Sequence, residues 1–362
     1  MKRTASGALA CATVLLCGWA PAQATAAPTL SVFAKGIDNP RGLSMGADGT
    51  LYVASAGRAG PQCLDPKKET CIGFSSRVLA VASDGTKRTV AKGLISAGGQ
   101  DGTFTTGVGG VSVRADGKVF AVTTSATSKE IKSTPKPIQD AAGKLFEVNT
   151  GTAQPLAAID AFEWQHNADR VKGDRNSNPY SVLALADRVL VADAGANDIL
   201  SVAPDGTVSL LAVLPKNGKA QPVPTSLALG PDGAVYVGEL AEGAGNGKAR
   251  VWRIPLDGTA PTVYATGLTA ITGLAFGPDR SLYVTELSTN LKKPTAPGAI
   301  VKLAPGGGRT TLKRSALVFP AGAAVGADGA LYISNASILP ARTPTKSPFN
   351  GAGGHILKIT GF

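Results

Sequence analysis

The chain has 362 residues, of which 43% are hydrophobic, 17% charged and only 5% aromatic, with 45 glycines and 24 prolines spread along its length. That composition argues against a disordered chain and for a turn-rich all-β protein. The formal net charge is +11, yet no basic run is interleaved with aromatics, which argues against a nucleic-acid platform and leaves a general attraction to acidic polymers or anionic surfaces.

Lys2 and Arg3 precede the apolar ALACATVLLCGWA, and the small-residue track AQATAA follows. This is the pattern of a secretory signal over residues 1–26, cleaved near Ala26. The apolar stretch is too short for a transmembrane helix. Cys17 ends it as in a lipoprotein signal, but Leu16 stands where such a signal needs a small residue. Cleavage removes Lys2 and Arg3, so the mature charge falls from +11 to +9. It also removes Cys11 and Cys17, leaving Cys63 and Cys71 in PQCLDPKKETC. Two close cysteines in an exported chain are expected to form one disulfide that pins a single loop.

From residue 42 onward a phrase recurs six times: GLSMGADGTLYVAS, GVSVRADGKVFAVT, SVLALADRVLVAD, SLALGPDGAVYVGE, GLAFGPDRSLYVTE and GAAVGADGALYISN. Each is two apolar β-runs joined by a tight Asp-Gly-type turn. A third run follows each copy (RVLAVASDG, KLFEVNTG, DILSVAPDG, RVWRIPLDG, AIVKLAPGG, HILKITGF), and five copies have a fourth (KRTVAKGL, AQPLAAI, TVSLLAVL, PTVYATGL, RTTLKRSAL). Four antiparallel strands per unit is the blade of a β-propeller. The sixth copy lacks its fourth strand, and TLSVFAKGI at residues 29–37 supplies a matching one. Residues 27–362 are therefore expected to form one all-β, six-bladed β-propeller, closed by the mature N-terminal strand completing the last blade. No long stretch after the signal carries helical periodicity.

The turn residues Asp48, Asp116, Asp187, Asp232, Asp279 and Asp328 are spaced by 68, 71, 45, 47 and 49, so the extra length sits in the first two blades. The insertions GRAGPQCLDPKKETCIGFSS, TSATSKEIKSTPKPIQDAAG and AFEWQHNADRVKGDRNSNPY all fall on the face opposite the Asp-Gly turns. One mouth of the channel is thus elaborated and the other plain, which marks the elaborated mouth as the working side.

Two rows of residues are expected to ring that mouth. One lies at the end of each second strand: Ser55, Thr123, Asp193, Glu239, Glu286 and Asn335. The other precedes each first strand: Arg41, Gly109, Tyr180, Thr225, Thr272 and Ala321. Asp193, Glu239 and Glu286, with Asn178 nearby, have the oxygen ligands of a hard-cation site for Ca²⁺ or Mg²⁺. The same side chains equally suit capping of backbone N–H groups at strand ends, Asp193 in VADAGANDIL above all. His166, in EWQHNADR with Glu163 and Asp169, stands in a loop that can lid the channel and offer a general base; His355 starts a third strand and reads as incidental. GLSMG (residues 42–46) fits G-x-S-x-G, but Ser44 lies inside a strand rather than at a strand–turn–helix elbow, so it carries no nucleophile. No Walker loop, Rossmann fingerprint, HExxH or zinc spacing is present.

The segments SNPYSVLAL (177–185), VADAGANDILSV (191–202) and PTSLALGPDGAVYVGEL (224–240) resemble the bacterial ScyD/ScyE family. Asn178, Tyr180, Asp193, Asn197, Asp198 and Glu239 match its pattern, while Ser181 stands where the family usually has Gly. The resemblance implies a secreted, NHL-like six-bladed propeller and no settled activity. Binding of a small ligand or of a protein or cell-surface partner at one channel mouth is the leading expectation, for a monomer. Its residues would be Arg41, Asn178, Tyr180, Asp193, Glu239, Glu286, Asn335 and His166. The alternative is a metal-dependent hydrolase or lactonase resembling gluconolactonase-type propellers, and a third reading is a quinoprotein sugar dehydrogenase.

Overall fold

A computed structural model describes residues 27–149, 151–293 and 295–362. The signal segment expected over 1–26, with Cys11 and Cys17, lies outside the described residues, among which no helix is long and apolar enough to cross a membrane. Six antiparallel sheets form six blades. The first strand of each blade runs innermost: Pro40–Met45, Val108–Val113, Pro179–Ala184, Pro224–Leu229, Ile271–Phe276 and Ala323–Val325.

The second strands show why the sequence folds this way. Leu51–Ser55, Val119–Thr123, Val189–Asp193, Val235–Glu239, Leu282–Glu286 and Leu331–Asn335 are apolar almost throughout and nearly every residue is buried. Alternating side chains point to opposite faces, so a strand buried on both faces must have a neighbouring blade on each side. The cores accordingly lie between blades. Leu190 and Ile199 of blade three pack with Val235, Val237 and Trp252 of blade four, and Leu51 and Val53 of blade one pack with Tyr332 and Ile356 of blade six.

The ring closes as the repeat predicts. Thr29–Lys35 pairs antiparallel with His355–Thr360, from Thr29↔Thr360 to Lys35↔His355, with Phe33 edge-on to Tyr332 at 4.9 Å. This covers the outer edge of the last blade, which would otherwise offer unpaired backbone groups.

The insertions hold structure that periodicity did not reveal. Blade one gains a two-residue strand, Gln62–Cys63, which pairs with Cys71–Val81 and is fastened by the Cys63–Cys71 disulfide. Helices α1 (Ser128–Lys132), α2 (Lys136–Ala141) and α3 (Ile159–His166) follow. At 5, 6 and 8 residues they are too short for a 3.6-residue period to register. The legible signal was Thr127-x-x-Glu130, a capping box in which each side chain bonds the other residue's backbone N–H.

Candidate functional site at the channel mouth

Each of five inner strands carries a β-bulge at its start. In blade three Pro179 pairs with Asp193 and Ser181 with Ala192, so Tyr180 is left out of the ladder. The same skip leaves out Gly109, Thr225 and Thr272, and in blade one the pairing jumps from Pro40↔Ser55 to Leu43↔Val53 across Arg41. A bulged residue is free of the ladder and is re-aimed. These residues, with Ala321 of blade six, line the central channel, whose cavity is only about 40 Å³. Glycines explain the narrowness. A Cβ on Gly42 would meet the backbone of Gly109 and Gly110 at 3.0–3.1 Å, and one on Gly322 would meet the carbonyl of Arg41 at 2.3 Å.

Arg41 and Tyr180 meet across this throat. The Arg41 Nη2 donates to the Thr105 carbonyl at 2.8 Å, and Nη1 to the Tyr180 hydroxyl at 3.4 Å. The residue at the bulge between them is Gly109, so no side chain separates blades one and three here. Thr225 and Thr272 turn their hydroxyls away to the next blade, donating to the carbonyls of Ile271 at 2.6 Å and Pro320 at 2.8 Å.

The other row is buried inside the blades rather than in the channel. Asp193 accepts from the Ser177 hydroxyl at 2.6 Å and from the N–H groups of Asn178, Gly195 and Ala196. Glu239 takes a bidentate pair from Arg250, at 2.6 and 3.1 Å, and a bond from Trp252 Nε1 at 2.8 Å. Glu286 accepts from the Thr269 N–H at 2.8 Å. Asn335 bridges the Val318 N–H, the Ala316 carbonyl and His355. Ser55 and Thr123 donate to the carbonyls of Asp38 and Ala141. This geometry is that of strand-end caps, each tying its strand to the backbone around it.

The donor set expected for Ca²⁺ or Mg²⁺ does not fit such an ion. Asp193, Glu239 and Glu286 each spend oxygens on partners in their own blade, and among the described residues no three His, Cys, Asp or Glu side chains gather as a metal-holding group.

Blade three departs from its neighbours in charge. Opposite the capping row, blade one places Arg77, blade four Arg250 and blade six His355, whereas Asp193 faces Asp198. Asp198 is fully buried, and both its carboxylate oxygens lack any partner. Glu163 on α3, 1% exposed, and Asp169 add negative charge to the same pocket of structure. Burial and these neighbours push the Asp198 carboxyl well above the usual range. Desolvation raises Asp193 to about 6 and Glu163 to about 7, the hydrogen bonds to each opposing it. Asp198, without a hydrogen-bond donor, is thus the acid of this pair held most strongly toward its protonated form, while Asp193 is supported as a carboxylate by four donors. An acid where other blades put a base was the signal in the sequence; the convergence of residues 163, 169, 193 and 198 was not readable from it.

His166 is exposed on the last turn of α3, stacked on Phe162 with Nδ1 2.9 Å from its carbonyl oxygen. It lines no cavity with the channel residues. Asn178 accepts from the Thr124 hydroxyl at 2.8 Å and lines a polar cleft of about 150 Å³ with Asn176, Asn197, Gln221 and Glu242.

No known sequence family matches the chain, and no curated protein matches it either. Solved structures do match in fold. A streptogramin B lyase is 12% identical, with 92% of this chain and 97% of that one covered at a TM-score of 0.51. A gluconolactonase from Xanthomonas campestris is 12% identical, with 92% and 89% covered at 0.52. A PQQ-bound aldose sugar dehydrogenase from Streptomyces coelicolor is 14% identical, with 92% and 98% covered at 0.53. The likeness is one of fold. Enzymes with different chemistries share it.

Proposed function

We propose that the chain is an exported, monomeric propeller of the ScyD/ScyE kind that binds a small-molecule ligand at the elaborated mouth of its channel. The carrying observation is the row of bulges. On a scaffold built from near-identical units, the bulge sites present Arg41, Gly109, Tyr180, Thr225 and Thr272 toward one cavity. Variation at one re-aimed position per blade is how a repeat protein builds a specific site. The signal-like residues 1–26 and the Cys63–Cys71 disulfide support export. The lactonase alternative finds no gathered donor set among the described residues and is not favoured.

The test is a thermal-shift screen of small metabolites (sugars, lactones and carboxylic acids) against the mature chain and a channel-plugged Thr272→Leu variant. Hits that stabilise the parent and lose their effect on the plugged chain support the reading. Hits that shift both chains equally overturn it.

A further inference from the structure

We propose that the channel throat is an anion site, in which the Arg41 guanidinium and the Tyr180 hydroxyl together take a carboxylate group of the ligand. This rests on the channel-mouth reading above and names the ligand's chemical class.

Arg41 is only 9% exposed, yet it belongs to no ion pair among the described residues. Comparably buried bases elsewhere are all neutralised. The Lys144 side chain, 17% exposed, sits 3.0 Å from the fully buried Asp160, and that of Arg250, 14% exposed, sits 2.6 Å from the fully buried Glu239. Buried charges are normally paired, because withdrawing an ion from water without a counter-charge is expensive. Arg41 breaks that pattern at the one place where it faces a cavity.

Its hydrogen bonds leave room for a partner. A guanidinium has five N–H donors, and Arg41 uses Nη2 on the Thr105 carbonyl and Nη1 on the Tyr180 hydroxyl. Both acceptors are neutral. Tyr180 accepts there, and its own O–H proton has no acceptor among the described residues, so it too is free to donate. The threonines spend their hydroxyl protons on the next blade, and Ser181 and Ser226 add only neutral hydroxyls to the lining, so Arg41 is the cationic donor left for an anion, with the Tyr180 hydroxyl beside it. No Asp or Glu lines the cavity, where Arg41 is the charged residue among the described lining.

Size and shape select the anion. A cavity of about 40 Å³ has space for a few atoms, since one water needs roughly 10–15 Å³ on the same measure. The planar guanidinium fork matches a carboxylate, and a carboxylate end can enter while the rest of the ligand stays in the mouth. The mature chain's formal charge of +9, that is +11 less Lys2 and Arg3, draws anions toward it.

The experiment titrates acetate and formate against the mature chain at constant ionic strength, with inorganic phosphate and chloride as comparison probes, following melting temperature and calorimetric heat. The variants are Arg41→Gln, Arg41→Lys and Tyr180→Phe. We expect acetate and formate to stabilise the parent more than chloride or phosphate do. Arg41→Gln should weaken them at least ten-fold, Arg41→Lys by less, and Tyr180→Phe by a few-fold. In anion-free buffer Arg41→Gln should melt no lower than the parent, because it removes an unpaired charge. Equal acetate effects on the parent and Arg41→Gln overturn the proposal, as does phosphate acting through Arg41 in place of the carboxylates. If Arg41→Gln folds poorly, the other two variants decide: undiminished acetate binding in both refutes the site. Neutral ligands that are lost on Thr272→Leu but retained on Arg41→Gln would leave the channel reading standing and remove the carboxylate.

Discussion

Asp198→Asn gives the sharpest test of the buried acids in blade three. The substitution preserves size and replaces a buried, unpartnered carboxyl facing Asp193 with an amide that can donate to Asp193 across the strand pair. In the parent, burial and the neighbouring acids make the folded state keep the Asp198 proton to higher pH than the unfolded chain, which releases it near pH 4. Stability from this group is therefore complete at low pH and is lost as pH rises above the unfolded value. Asp193 adds the same trend up to about pH 6 and Glu163 up to about pH 7. One proton held only by the folded state changes stability by about 1.4 kcal/mol per pH unit. For a chain of this size that slope is about 2 °C in Tm per pH unit. Melting curves of both chains at pH 5, 6 and 7 measure it. The variant should gain on the parent as pH rises, at up to about this rate. A difference in Tm that stays constant with pH would falsify the protonated Asp198 and require another group to neutralise it.

Three further outcomes follow from the packing. Glu239→Ala should cost about 3–5 kcal/mol, because it strands the Arg250 guanidinium in a largely buried position. A change in Tm of under 1 °C would contradict that, and any loss of binding in this variant has to be separated from loss of fold. Replacing Cys63 and Cys71 together by Ser should lower stability by about 2.5 kcal/mol, the loop-closure value for a sequence separation of 8; denaturant midpoints with and without reductant check it, and reductant should not affect the variant. Deleting residues 27–36 removes the strand paired with His355–Thr360 and should give concentration-dependent association in size-exclusion chromatography, because a full strand edge is uncovered. A monomeric, normally melting product would show that closure matters less than the pairing suggests.

The ring was legible because a repeat states its strands several times over, and because HILKITGF lacked a partner that TLSVFAKGI could supply. The site was legible only as two rows. Alignment to the Asp-Gly turns put Arg41, Tyr180, Thr225 and Thr272 in one of them, and those do line the channel. It could not show that the neighbouring row, with Asp193, Glu239 and Glu286, points into the blades. The difference is the bulge: one skipped residue re-aims the side chain beside it, and no local pattern in the inner strands announces the skip. Helices α1–α3 escaped for a related reason, since short elements held by insertion packing lack a period to detect.

The same bulge lets structure and recognition be separated in this fold. Glycines such as Gly42, Gly110, Gly273 and Gly322 sit where inner strands touch, and any side chain there would collide with backbone at 2.3–3.1 Å. Their replacement should disturb the ring itself. The bulged residues Arg41, Tyr180, Thr225 and Thr272 are skipped in the pairing register, so their side chains are set by the cavity rather than by the sheet. Arg41 and Tyr180 can therefore differ in chemistry from Thr225 and Thr272 while the blades keep one backbone plan. An unpaired guanidinium at such a position imposes a desolvation cost that the fold does not require, and a ligand carboxylate is the group that would offset it.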